Sequence, residues 1–382
     1  MSLLNDSTQG YFTNHLFCMS GASGGSVGNA SFFALQKNRN NMMFENTKRY
    51  FDNDFLTYTL ARMLGPDYFR HLLAFIPMYD RAAALEYAHE KVPNEEIISA
   101  AMAAPFDIEM EQKNGTLNPI LYINTTVMQN GVPAVVSNLN IDSILNNNRV
   151  DVLELLVDST VLKLSTAAIL SARFPYMSPA GKISTMAIGN ERNSLYFVDG
   201  GYFDNSGAGV VTETIQHLDR LINKNKAKYG HIAGKVEFVV LHITNSPKSK
   251  LKFEKTPALQ NDLFAPVKTL AGSYSKQTDI NDLRLKKLLA LIKERSITHT
   301  SYNDIPLYNS AVPNEKPYSM NWFMSDDCKS RMIERFKNCS ELSEVIKDAN
   351  TKRLNYKTKT LNENSMAKQE ANHLGFNKKR YL

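Results

Sequence analysis

The distribution of apolar and polar residues along the chain reads as short strands separated by helices. "HLFCM", residues 15 to 19, is a short apolar run of the kind that forms a buried strand, and the pattern ends it at Ser20 and Gly21. From Gly24, "GGSVGNASFFALQ" predicts a helix with small residues on one face, able to lie close to a sheet. Residues 40 to 115 carry helical signals. In "FDNDFLTYTLARML", Phe51, Phe55, Leu60 and Leu64 recur near helical spacing and Gly65-Pro66 is the stop. "DYFRHLLAFI" and "DRAAALEYAHEKV" follow, so this region reads as a helical insertion beside the core. Strands return in "PILYINT" (119 to 125) and "PAVVSNL" (133 to 139), a hairpin with Asn130-Gly131 in its turn. A helix over 166 to 173, a strand "LYFVD" at 195 to 199, a helix over 209 to 224 and a strand "VEFVVLHI" at 236 to 243 continue the alternation. That order predicts an α/β fold with a mostly parallel central sheet. Beyond residue 250 the signal is mainly helical, notably "DLRLKKLLALIKER". With no repeat or clear linker, the expected organisation is a core domain over 1–250, its insertion at about 40–115, and a mainly helical extension over 251–382 packed on it.

Composition narrows the class. The 382 residues are 43% hydrophobic and 21% charged, as in a globular, core-forming protein. The net charge of +6, from 44 basic and 38 acidic residues, is spread out apart from "TKRLNYKTK" and "NKKRYL" near the end. This suits approach to an anionic membrane surface or substrate, while no motif points to nucleic acid as a partner. Cys18, Cys328 and Cys339 are too few for a disulfide framework and fit a reducing compartment. Neither C-x-x-C nor H-E-x-x-H occurs, so no metal and no cofactor are expected. The first ten residues lack the layout of a signal peptide, and no run approaches the ~18 apolar residues that span a bilayer. The expected location is cytoplasmic or at a membrane periphery.

One stretch suggests chemistry. "CMSGASGGSVGNA", residues 18 to 30, holds four glycines and three serines behind an apolar run. Gly21-Ala22-Ser23-Gly24-Gly25 is a G-x-S-x-G match between a predicted strand and a predicted helix, the setting that exposes a serine hydroxyl at a strand end. Gly21 and Gly25 would leave space where flanking side chains would collide, and the helix would aim the Gly24 N–H above Ser23. A close-packed helix start with an incidental serine fits the same residues. A serine at its ordinary pKa needs a base. In a Ser-Asp-His order, Asp199 would be followed by His231 or His242, yet His242 lies inside an apolar strand and His231 follows a surface turn, "KNKAKYG". The stronger candidate is "YFVDGGYFDNSGAG", where a strand carries Asp199 to its end and Gly200-Gly201 turns the chain at once. In a parallel sheet that edge is where ligands bind.

Three segments in this order, "SGASGGS" around Ser23, "SARFPYMSP" at 171 to 179 and "VDGGYFDNSG" at 198 to 207, resemble those of the patatin-like phospholipases. These are lipid acyl hydrolases that use a Ser-Asp dyad without histidine. Looser similarity runs through "DFLTYTLARMLGPDYFRHLLAF", "DRAAALEYA" and "PILYINTTVMQNGVPAVV", so that about 15 to 245 is covered. The resemblance implies a three-layer patatin-like fold, Ser23 as nucleophile, Asp199 as base, and a lipid acyl ester as substrate in phospholipase A or lysophospholipase chemistry. Gly21, Gly24, Gly25, Gly200 and Gly201 would form the oxyanion and turn backbone, and desolvation would raise the Asp199 pKa. The chain departs from the family ahead of the serine. Family members have a first strand and a glycine-rich oxyanion loop with an arginine there, whereas "MSLLNDSTQGYFTN" holds one glycine and no arginine. Two expectations follow: a coding frame extending upstream of Met1, and a serine strand with one unpaired edge. The alternatives are a catalytically impaired lipid- or phosphate-binding module and, from another class, an α/β-hydrolase esterase using His231 or His242.

Overall fold

The computed structural model describes residues 1–37, 42–65, 67, 81–107, 117–145, 149–156, 160–174, 177–184, 193–244, 258–295, 299–307, 324–356 and 358. Helices α1 (Ser2–Ser7) and α2 (Tyr11–His15) lead into β1 (Cys18–Ala22) and then α3 (Gly24–Lys37). Four helices follow: α4 (Met43–Phe51), α5 (Leu56–Leu64), α6 (Arg81–Glu90) and α7 (Glu96–Ala103). The chain then forms β2 (Ile120–Val127), β3 (Pro133–Ser137), α8 (Asp142–Leu145), β4 (Val150–Asp151) and α9 (Leu164–Ser171). Strands β5 (Gly181–Ser184) and β6 (Ser194–Asp199) precede α10 (Gly201–Asp204), α11 (Ala208–Lys224), α12 (Lys226–Ala233) and β7 (Glu237–Thr244). The last elements are α13 (Ala258–Arg295), β8 (His299–Pro306), α14 (Asp326–Lys337) and a helix over 340–356.

Strand β2 organises the molecule. All eight of its residues are buried, as a strand covered on both faces requires. Its alternate side chains serve two cores. Leu121, Ile123 and Val127 join Met19 of β1, Val27 and Ala30 of α3 and Leu170 of α9 on one face. Ile120 and Tyr122 join Val135, Ile141, Leu145 and Val210 on the other. Each large side chain so buried contributes about 1.5–3 kcal/mol of hydrophobic stabilisation. Helices therefore cover the sheet on both sides, and the fold is mixed α/β.

The sheet is mixed, not mostly parallel. β1 runs parallel to β2, and β3 to β4, whereas β2–β3, β2–β6 and β5–β6 are antiparallel. The physical reason is connectivity. A short connection can only return a strand antiparallel, while a parallel neighbour needs a long crossover. The Asn130-Gly131 turn, with Gly131 at φ +71°, is one such hairpin, and its presence already opposes a parallel sheet.

Other boundaries also differ from expectation. His15 closes α2, and the serine strand begins at Cys18 and continues through Ser20, Gly21 and Ala22, in register with Tyr122, Ile123 and Asn124. Ser20 is tolerated in this strand because its Oγ donates to the Gly207 carbonyl at 2.8 Å and accepts from Asn124 Nδ2 at 2.9 Å. Among the described residues β1 pairs only with β2. The helix read through Phe51 to Leu64 is two helices, because the Asp54 carboxylate accepts from Leu56 N and Thr57 N and starts a new one. "VEFVVLHI" does not extend the central sheet. As β7 it pairs in parallel with β8 along its whole length, in a second sheet. Leu285, Leu289 and Ile292 of α13 cluster with Ala208 and Ile215 of α11 and with Phe238 of β7. "DYFRHLLAFI", apart from Asp67, and "NKKRYL" lie outside the described residues. Among the described residues no helix is long and apolar enough to cross a membrane.

Candidate active site

The serine turn holds its backbone in a strained conformation. Ser23 has φ +54°, in the left-handed region, where a residue with a Cβ is disfavoured by about 1–2 kcal/mol. Its carbonyl accepts from Ser26 N (3.0 Å) and Val27 N (3.4 Å), which starts α3 directly on the turn. Its own N–H donates to Ser171 Oγ at 3.1 Å. The next two N–H groups, of Gly24 and Gly25, have no protein partner among the described residues and face solvent at the positive end of the helix. Gly21 is required by space: a Cβ there would lie 2.7 Å from Asn29 Nδ2 and 2.8 Å from the Gly25 carbonyl carbon. Gly25 is not, since a Cβ on it would meet nothing within 4 Å. The expectation of a collision at both glycines holds for one.

Asp199 arrives from the opposite direction. β1 pairs with the first part of β2, ending with Ala22 opposite Asn124. β6 lies on the same flank, antiparallel, and ends with Asp199 opposite Thr125. The two strands run toward each other along one edge of β2 and stop at adjacent residues of it, so their carboxyl ends meet. Gly200 makes the turn possible, because a Cβ on it would lie 2.2 Å from the Asn124 carbonyl oxygen. The Gly200 N–H donates to the Ser171 carbonyl at 3.0 Å.

Asp199 is 6% exposed. Oδ1 accepts from Gly201 N at 2.8 Å, and Oδ2 is buried with no hydrogen-bond partner among the described residues. Burial pushes its pKa from 3.8 up to about 6, against the smaller opposing effects of the Gly201 N–H and the nearby Ser23 hydroxyl. The hydroxyl thus favours the carboxylate without completing a hydrogen bond of normal geometry to Oδ2. Catalytic hydrogen bonds are often long in a free site and tighten around substrate.

The two candidate histidines stand elsewhere. His231 is exposed on α12. His242, on β7, hydrogen-bonds through Nδ1 to the Tyr302 hydroxyl and lies 3.7 Å through Nε2 from Asp282. Neither hydrogen-bonds to Ser23 or Asp199 among the described residues. Cys18 is held inert by burial, which pushes its thiol up to about 12. No cluster of three or more His, Cys, Asp or Glu suited to a metal ion occurs among the described residues. A cavity of about 320 Å³ lined by Phe33, Ile97, Phe106 and Leu164 sits toward the far end of α3, roughly 15 Å or more from Ser23 at 1.5 Å per residue.

Three polar residues around Ser23 and Asp199 are not singled out by the sequence pattern. Ser171 is fully buried, and besides accepting from Ser23 N its Oγ donates to the Asn124 carbonyl and lies 2.8 Å from Ser26 Oγ. Ser26 Oγ donates to the Gly21 carbonyl at 2.7 Å. Asn124 spans the gap between strands, donating from Nδ2 to Ser20 Oγ and to the Gly21 carbonyl at 2.8 Å. Signals existed: Ser171 opens "SARFPYMSP", and Asn124 is a polar interruption of the apolar run "ILYIN". Searches for relatives add no constraint to this geometry, since no family model matches the chain and no curated protein matches it significantly.

Proposed function

We propose that the protein is a serine acyl hydrolase of the patatin-like kind, cleaving lipid acyl esters through an acyl-serine formed on Ser23 with Asp199 as base. The observation that carries this reading is the meeting of a left-handed serine turn with a desolvated aspartate whose second oxygen lacks a partner. As Ser23 Oγ bonds to the ester carbon, Asp199 takes its proton. The developing oxyanion is held by the free Gly24 and Gly25 N–H groups, each such donor being worth about 10²–10³ in rate. Collapse breaks the ester C–O bond, and the alcohol leaves with the proton from Asp199. Water then attacks the acyl-serine, giving one proton to Asp199. The fatty acid departs as Ser23 Oγ recovers that proton. A pKa near 6 makes Asp199 a stronger base than an ordinary carboxylate while leaving it mostly ionised at neutral pH.

A fluorophosphonate probe and a soluble ester test the proposal. Wild type is expected to take the label and turn over the ester, and Ser23→Ala to do neither while unfolding at a similar urea concentration. Equal hydrolysis by both proteins would refute it. The exposure of Gly24 and Gly25 supports a second reading, a lipid- or phosphate-binding module with impaired catalysis. That reading predicts vesicle binding with no labelling.

A further inference from the structure

The nucleophile and the base arrive on two strands, β1 and β6, that each pair with β2 and, among the described residues, not with each other. One residue does. Ser171 is the last residue of α9, where carbonyls have no partner within the helix. Its carbonyl accepts from Gly200 N at 3.0 Å, holding the turn that follows Asp199. Its hydroxyl oxygen accepts from Ser23 N at 3.1 Å, holding the turn that carries the nucleophile. The same hydroxyl donates to the Asn124 carbonyl, at the point on β2 where both strands stop. We propose that Ser171 is the positioning residue of the dyad, fixing the strained Ser23 turn against the Asp199 turn. This inference rests on the acyl-hydrolase reading of the site.

The physics favours an active role for the hydroxyl over simple filling of space. A left-handed non-glycine residue persists only where its surroundings over-determine it. At Ser23 the carbonyl is committed to starting α3, so the N–H is the remaining backbone handle, and Ser171 Oγ takes it. That bond also withdraws the Ser23 N–H from the reacting space and leaves Gly24 and Gly25 as the open donors. The carboxyl of Asp199 is not hydrogen-bonded to Ser171; its partner is Gly201 N. Removing the Ser171 hydroxyl therefore disturbs where Ser23 Oγ points, while the burial that chiefly sets the proton affinity of the base stays in place.

The test compares wild type with Ser171→Ala in fluorophosphonate labelling, soluble-ester kinetics and amide hydrogen exchange. Misplacing a reacting group by about 1 Å costs up to roughly a hundredfold. Labelling rate and kcat are accordingly expected to fall between about tenfold and a hundredfold. KM should stay at its wild-type value and the pH midpoint of kcat/KM, set chiefly by burial of Asp199, close to it, and exchange should quicken at Ser23 but not at Leu121 or Ile123. If Ser171→Ala does not fold, Ser171→Cys keeps the size with a weaker acceptor and should show the same pattern to a lesser degree. Labelling and kcat at wild-type levels in a folded variant would overturn the proposal. So would a general loss of exchange protection with no specific change at Ser23, which marks a structural role only. A wild-type protein that takes no label overturns the acyl-hydrolase reading first and this assignment with it; a labelled wild type matched by its Ser171 variant overturns this assignment alone.

Discussion

Replacing Asp199 by asparagine should remove activity and, at neutral pH, make the protein more stable. Burial raises the Asp199 pKa from 3.8 to about 6, so the folded protein holds this proton more tightly than the unfolded chain does. The stabilisation due to the bound proton is complete below about pH 4 and is lost as pH rises through 6. At about 1.4 kcal/mol per pKa unit, the two-unit difference amounts to roughly 3 kcal/mol by pH 8. Asparagine has no proton to lose. Its Oδ1 keeps the Gly201 N–H, and its Nδ2 replaces the unpartnered Oδ2 beside Ser23. Urea unfolding of both proteins from pH 4 to pH 8 should give a stability difference near zero at pH 4, growing in favour of the variant to the order of 3 kcal/mol at pH 8. Asp151, whose burial also pushes it up to about 6, titrates in both proteins and cancels. Under the proposed mechanism the same carboxyl would set the acid limb of catalysis, so kcat/KM of wild type should rise through about pH 6. A stability difference independent of pH, or a variant less stable than wild type at pH 8, would refute the claim that Asp199 is strained by desolvation.

Two histidine substitutions separate the proposed dyad from its alternatives, and two glycine substitutions test the turns. His231→Ala should leave both stability and ester hydrolysis unchanged, and His242→Ala should lower the urea midpoint through loss of the Tyr302 and Asp282 contacts without abolishing hydrolysis; a folded histidine variant without activity would restore a triad. Gly200→Ala should destabilise by about 2 kcal/mol or more, because its Cβ meets the Asn124 carbonyl, whereas Gly25→Ala should be neutral or stabilising by up to about 1 kcal/mol, as measured by thermal or urea unfolding.

The elements that were legible in the sequence are those where chemistry acts locally. Gly21 and Gly200 stand where backbone must approach within van der Waals distance, and the Asn130-Gly131 pair stands where a hairpin turns. Strand direction is different: an apolar run such as "LYFVD" satisfies either direction equally, and only the length of the connection before it decides. β8, "HTSYNDIP", has few apolar residues and is half-buried along most of its length, so it carries no strand-like alternation. Ser171 was hidden for another reason. A buried serine reads as a helix end until the three backbone groups converging on it, from residues far apart in the chain, are seen together.

The arrangement of β1 and β6 along one flank of β2 also governs when Ser23 and Asp199 can come together during synthesis. Ser23 is made early, and its turn depends on pairing with β2, but its base comes only after β6 has been translated and has docked. Closing so long a loop costs chain entropy that local contacts cannot offset. A ribosome-bound chain that has emerged only as far as β3 therefore carries Ser23 without Asp199, and under the proposed mechanism such a chain has no base and is inactive.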